Sequence, residues 1–115
     1  SLMQSVKKPW GYYIDLERTF FRVVKRIHVS PNQKLSLQKH KNRSEFWYVI
    51  SGTGRVTLDN YTFPAKSQNH FHIPPEMVHR VEAGPDGIMF LEVQEGECDE
   101  RDIIRIEDDY GRVTD

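Results

Sequence analysis

Residues 19–29 read TFFRVVKRIHV. Phe21, Val23, Ile27 and Val29 fall on one side of an extended chain, while Arg22, Arg26 and His28 fall mostly on the other. A period of two with one apolar side describes a half-buried strand. Outward from this run the same rhythm returns in KLSLQKH, EFWYVIS, GRVTLD, YTFPA, HFHIP, HRVEA and GIMFLEVQ. Turn signals separate these runs at Pro31-Asn32, Ser51-Gly52, Asp59-Asn60, Pro74-Pro75 and Gly84-Pro85-Asp86-Gly87. Short strands at that spacing predict an all-β sandwich, barrel or jelly roll. In the tail CDERDIIRIEDDYGR, Ile103, Ile104 and Ile106 make no wide helical stripe. It reads as a short turn of helix or as an extended closing segment.

A chain of 115 residues is the size of one domain. A single domain is therefore expected over residues 1–115, with 1–7 a tag remnant and flexible lead. Ser1 and Leu2 ahead of Met3 read as a cloning remnant, which makes Met3 the natural start of a short stand-alone protein. The net charge of -1, with both signs mixed along the chain, gives no footprint for nucleic acid and no basic block for a membrane surface. No apolar run approaches the roughly 18 residues of a membrane span, and SLMQSVKK lacks the apolar centre of a signal peptide. The one cysteine, Cys98, excludes an intrachain disulfide and a four-cysteine zinc module, and a reducing cytoplasm is the expected compartment.

Chemistry concentrates in LSLQKHKNRSEFW, residues 35–47. Alternation puts Gln38 and His40 on one face of a strand. Glu45 opens the next strand after the turn KNRS, so a hairpin brings its carboxylate beside them. A fourth donor follows in IPPEMVHR, where two prolines stiffen the turn before His79. Imidazole nitrogen with carboxylate and amide oxygen suits zinc, manganese, iron or cobalt rather than a soft-thiolate metal. The alternative is a polar strand with a solvated face and a charged turn. His70 and His72 form a second HxH, but no carboxylate follows at a useful spacing.

These residues resemble the cupins. Asn32, Gln38, His40, Glu45 and Gly52 hold the places of the motif GxxxxxHxHxxxxExxxxxxG, and Gln68, Pro74, Glu76, His79 and Ala83 those of GxxxxxPxGxxHxxxN. Within cupins the chain is most similar to the type II mannose-6-phosphate isomerases, often the C-terminal domain of a bifunctional enzyme with mannose-1-phosphate guanylyltransferase. KPWG, LSLQKHKNRSEFW, IPPEMVHR, LEVQEG and ERDIIRIEDDYGR carry the likeness from Lys8 to Arg112. Gln38 in place of the general cupin histidine is itself a mark of that family.

The resemblance implies a cupin double-stranded β-helix, a jelly-roll barrel with a short C-terminal tail. It implies one divalent ion on Gln38, His40, Glu45 and His79: zinc first, with cobalt, manganese, iron or nickel as alternatives. It implies isomerisation of mannose 6-phosphate and fructose 6-phosphate through an enediol, with Arg43 and Arg80 as candidate sugar-phosphate residues. Arg43, Glu92 and His72 are the candidate catalytic residues. Glu92, with Gln94 on its face, also reads as a partner orienting a ligand histidine, and His72 as a plain surface residue. The departures at Lys41, Asn42, Phe46, Glu76 and Ala83 are expected around the pocket. The competing class is a non-catalytic cupin that binds metal and sugar as a sensor or accessory module. An oxygenase is disfavoured, since its iron prefers histidines and one carboxylate. No nucleotide domain precedes Lys8, so GDP-mannose synthesis is not expected of these residues, and free sheet edges suggest a homodimer.

Overall fold

A computed structural model describes residues 4–113. The chain forms nine strands: β1 (Ser5–Lys8), β2 (Gly11–Arg18), β3 (Arg22–Val29), β4 (Leu37–Lys39), β5 (Arg43–Leu58), β6 (Tyr61–Lys66), β7 (His70–Ile73), β8 (His79–Gly96) and β9 (Ile104–Glu107). All pairings are antiparallel, in the order β1-β2-β3-β8-β4-β9, with β5 joining β6, β7 and β8. The sheet curls on itself, and the fold is the cupin double-stranded β-helix.

Two long strands make the frame. EFWYVIS and GRVTLD lie in the single 16-residue β5, and HRVEA and GIMFLEVQ in the single 18-residue β8. The turns expected at Ser51-Gly52 and Gly84–Gly87 are bends within these strands. Their ladder slips between Val49 and Ser51 and again between Gly52 and Gly54. An extra residue in a ladder re-aims every side chain beyond it. β5 accordingly buries Arg43, Glu45, Trp47 and Val49 before the bend and Val56 after it. β8 buries His79, Val81 and Ala83 before its bend and Ile88, Phe90, Glu92 and Gln94 after it. At Gly52 a Cβ would meet the Gly87 carbonyl oxygen at 2.2 Å, so only glycine lets the two bends nest.

The interior divides along the barrel. One half is apolar, with Val29, Val49, Val56, Ile73, Val81, Ile88 and Phe90 all at 5% exposure or less. Truncating a residue such as Phe90 to alanine there costs about 3–5 kcal/mol. The other half is walled by Lys25, His40, Arg43, Glu45, His79, Glu92 and Gln94, all buried.

Two expectations are corrected and one alternative is decided. Phe21 precedes β3 and is 69% exposed, while Lys25 takes the inward position between Val23 and Ile27. Of the flexible lead expected over 1–7, Ser5–Lys8 pair with Gly11–Ile14, because Gly11 lets the chain reverse into an antiparallel ladder. Residues 1–3, and with them the remnant and Met3, lie outside the described residues. The tail takes the extended alternative: β9 pairs with β4.

Asn32, Gln68 and Glu76 stand where the cupin motifs have glycine, and their φ angles are 62°, 75° and 72°. The backbone keeps the left-handed geometry without the residue that adopts it freely, at a cost of roughly 1–2 kcal/mol per position. Gln68 is exposed and its backbone N–H holds the Val49 carbonyl at 2.9 Å. Gln68→Gly is therefore expected to raise stability by about 0.5–1 kcal/mol in urea unfolding, the relieved strain exceeding glycine's added chain entropy. Gln68→Val should lower it.

Candidate metal centre and its cavity

At the charged end of the barrel, the turn from β4 into β5 presents His40, and β5 presents Arg43, Glu45 and Trp47 inward at alternate positions. The first residue of β8, His79, meets them from the opposite wall. His40 Nε2 lies 3.2 Å from Glu45 Oε2, and His79 Nε2 lies 3.8 Å from Glu45 Oε1. Among the described residues these three form the one cluster of histidine, cysteine and carboxylate groups able to hold a metal ion. Gln38 pairs with His79 in the ladder and lines the same cavity, of about 100 Å³.

The residues fit a divalent ion. Donors held at about 2.0–2.1 Å from one tetrahedral centre stand about 3.3 Å from each other, close to the His40–Glu45 separation. Each histidine also offers the correct nitrogen. His40 Nδ1 is tied to the Asp102 carbonyl at 2.7 Å and His79 Nδ1 to the Met77 carbonyl at 2.9 Å. Those bonds put the proton on Nδ1 and leave the Nε2 lone pairs facing Glu45. Burial lowers both histidines, and at His40 the neighbouring Arg43 charge adds to burial, pushing it down to about 4.

Glu45 also organises its surroundings. Arg43 Nε donates to Oε2 at 3.0 Å, and Arg43 Nη2 approaches His40 Nε2 at 3.3 Å. Trp47 Nε1–H is shared by Glu45 Oε1 at 3.1 Å and Glu92 Oε1 at 3.0 Å. Gln94 Nε2 donates to the other oxygen of Glu92 at 2.8 Å. Burial, reinforced by the Glu45 charge and opposed by Lys25, pushes the Glu92 carboxyl up to about 7. A carboxyl tuned near neutrality both takes and gives a proton.

The expected site residues thus divide. Gln38, His40, Arg43, Glu45, Glu92 and His79 line one cavity. His72 does not: it is exposed on β7, beside Phe46 on the outside of the barrel. Arg80 also lies elsewhere, because the residue after an inward histidine points outward. Its guanidinium donates to the carbonyls of Leu35 at 3.0 Å and Glu107 at 3.4 Å. The departures at Lys41, Asn42 and Phe46 are likewise exposed rather than gathered around the pocket. Ala83 is buried in the apolar half.

Four contributors were not read from the sequence. Lys25 is buried in the cavity wall and bonded to Glu100 at 2.9 Å. A lysine on the apolar phase of TFFRVVKRIHV was the signal for it. The Asp102 carboxylate accepts the backbone N–H groups of Lys41 and Asn42, both at 2.9 Å, while its own carbonyl orients His40. Arg105 completes the wall beside Gln38.

Burial alone would raise the Glu100 carboxyl, but the Lys25 charge and hydrogen bonds from Lys25 and Arg18 bring it down to about 2. A depressed carboxyl stabilises the fold fully above its ordinary value of 4.5, and that contribution is lost as the pH falls toward 2. Melting temperature should therefore drop across this interval. In Glu100→Gln the drop should be shallower and the neutral-pH melting temperature lower, as thermal melts from pH 7 to 2 would record.

Comparison with known proteins agrees with this geometry. Residues 1–108 match the family described as mannose-6-phosphate isomerase C-terminal. The alginate biosynthesis protein AlgA of Pseudomonas aeruginosa is 41% identical over 111 residues, 95% of this chain and 23% of that protein. The mannose-1-phosphate guanylyltransferase ManC of Salmonella typhimurium is 37% identical over 112 residues, 96% of this chain and 23% of that protein. The chain thus spans 23% of the length of these relatives. Among solved structures, the capsular polysaccharide assembling protein CapF of Staphylococcus aureus superposes with a TM-score of 0.82 at 15% identity, covering 94% of this chain and 33% of CapF. Oxalate decarboxylase of Bacillus subtilis gives 0.80 at 18%, covering 90% of this chain and 30% of the enzyme. Likeness at such identities concerns the fold alone. With its barrel, its buried His40–Glu45–His79 cluster and a match over nearly its whole length, the chain belongs to the mannose-6-phosphate isomerase C-terminal family.

Proposed function

We propose that this chain holds one divalent ion, zinc first, on Gln38, His40, Glu45 and His79, and interconverts mannose 6-phosphate and fructose 6-phosphate. The observation that carries this reading is the Glu45–Trp47–Glu92 linkage, which joins a metal-ligand cluster to a carboxyl near neutral pKa. Aldose–ketose isomerisation needs both parts. A bound divalent ion supplies charge stabilisation at the sugar's O1 and O2 as a Lewis acid.

The chain's own residues supply the rest. Glu92 removes the proton from C2 and returns it at C1, while the O2 hydroxyl proton passes to O1 so that the enediol closes to the ketose, and the opposite direction uses the same transfers in reverse. Gln94 and Trp47 hold its two oxygens in place. Arg43, fixed by Glu45, adds positive charge at the enediol oxygens. The barrel walls keep water from the intermediate. A reducing cytoplasm, the compartment expected from the single cysteine, suits this role, and no helix among the described residues is long and apolar enough to cross a membrane.

The binding-module reading draws on the size of the cavity. Its 100 Å³ falls below the roughly 300 Å³ at which small-molecule pockets begin. Turnover decides between the two. Metal-stripped protein reloaded with zinc, cobalt or manganese is expected to form fructose 6-phosphate in a coupled assay. Glu92→Gln should lower kcat by about 10²–10⁴-fold with the bound ion retained, and His79→Ala should lose both ion and activity. An ion held at full stoichiometry with no turnover of any hexose phosphate would establish the binding module.

A homodimer joined through the edge strand β1 is proposed as well. Among the described residues β1 pairs only with β2, and its four residues are exposed. Sedimentation should give twice the monomer mass, and a monomer at high concentration would refute it.

A further inference from the structure

One wall of the cavity is a row across three strands. In the antiparallel register Gln38 of β4 faces His79 of β8 on one side and Arg105 of β9 on the other. All three line the cavity. Directly opposite residues carry their Cβ atoms about 5 Å apart on a common face, so Arg105 stands about 10 Å along the wall from His79. An open-chain hexose 6-phosphate with its C1–C2 end at the metal-ligand cluster carries its phosphate over a comparable span.

The cations of the cavity differ in what already holds them. Lys8 is exposed at the rim, whereas Lys25 is bonded to Glu100 at 2.9 Å, Arg43 to Glu45 at 3.0 Å and Arg112 to Asp108 at 2.8 Å. Arg105 Nε is buried and has no hydrogen-bond partner among the described residues. Leaving a buried guanidinium N–H without an acceptor is costly, and such a group calls for an anionic one.

We propose that Arg105, with Arg112 beside it, receives the phosphate dianion of a hexose 6-phosphate whose reacting end lies at His40, Glu45 and His79. This rests on the isomerase reading and names the group that reads the substrate's phosphate. A planar guanidinium matches a phosphate through paired N–H donors. Arg43 and Arg80, expected in that role from the sequence, are committed to Glu45 and to main-chain carbonyls.

The test titrates mannose 6-phosphate, mannose and inorganic phosphate into metal-loaded wild-type protein and Arg105→Gln, following the fluorescence of Trp10 and Trp47 in the cavity wall. Bound metal and melting temperature are measured alongside. Arg105→Gln should weaken mannose 6-phosphate and inorganic phosphate by about 10- to 100-fold, the value of hydrogen bonds to a charged group. It should leave mannose binding, metal content and the phosphate-free melting temperature unchanged, since Nε has no partner among the described residues. Inorganic phosphate should raise the melting temperature of the wild type but not of Arg105→Gln, and Arg105→Lys should fall between. Equal affinities in wild type and Arg105→Gln, an equal loss for mannose, or no binding of either phosphate by the wild type would each overturn the assignment. Phosphate-dependent binding without turnover keeps Arg105 and removes the isomerase. Turnover with an unchanged KM in Arg105→Gln does the reverse.

Discussion

Glu45 is an ionisable carboxylate with 3% of its surface exposed, and a charge so far from water persists only inside a complete set of donors. Its protein donors are Arg43 and Trp47, while His40 and His79 turn Nε2 lone pairs toward it. Arg43 and Trp47 flank Glu45 on β5, two residues away on the same inward face. His40 arrives from the turn after β4 and His79 from the start of β8. The carboxylate therefore couples the local alternation of β5 to two distant crossings of the sheet. Removing it would leave Arg43 buried without its partner, a larger penalty than loss of one hydrogen bond.

Reaching that convergence requires the bends. A strand of uniform phase would bury one parity from end to end, so a β8 with His79 and Val81 inward would turn Glu92 and Gln94 outward. β5 and β8 instead change parity where their ladder slips, next to Gly52 and Gly84–Gly87. In β8 this turns Glu92 and Gln94 inward although His79 and Val81 lie on the other phase. The charged half of the barrel and its apolar half thus sit on the same two strands. The apolar half supplies the packing energy that lets the other half bury charge.

Much of this was legible in the chain. Alternation identified the strands from β3 to β8 but not β1 and β2, and LSLQKHKNRSEFW with IPPEMVHR held the three residues, His40, Glu45 and His79, that cluster in the barrel. Legibility failed where a residue's partner lies far away in sequence. His72 and Glu92 each sit on an alternating strand, and only the sheet's curl decides that Glu92 faces the cavity and His72 the solvent. Arg80 follows a ligand directly, yet that neighbouring position points it to the opposite side. Lys25 falls on the apolar phase of β3 and went unread because Glu100, the carboxylate that holds it, lies 75 residues on. Ser51-Gly52 and Gly84–Gly87 carry ordinary turn chemistry, and glycine serves a bend in a continuous strand as well as a reversal.

The C-terminal tail shows why a cap and a site wall need not be different things. Glu100 neutralises Lys25 inside the barrel, and Asp102 both orients the His40 ring and clamps the turn that carries it. Arg105 extends the ligand wall by one more strand, and Asp108 fixes Arg112 beside it. Arg105 reaches the cavity because β9 pairs with β4, a central strand only three residues long. That pairing covers an edge of the sheet. The same main-chain bonds that close the edge therefore set the position of the charges in the cavity, and an alteration that loosens β9 would disturb His40 and Lys25 before it reached the apolar core.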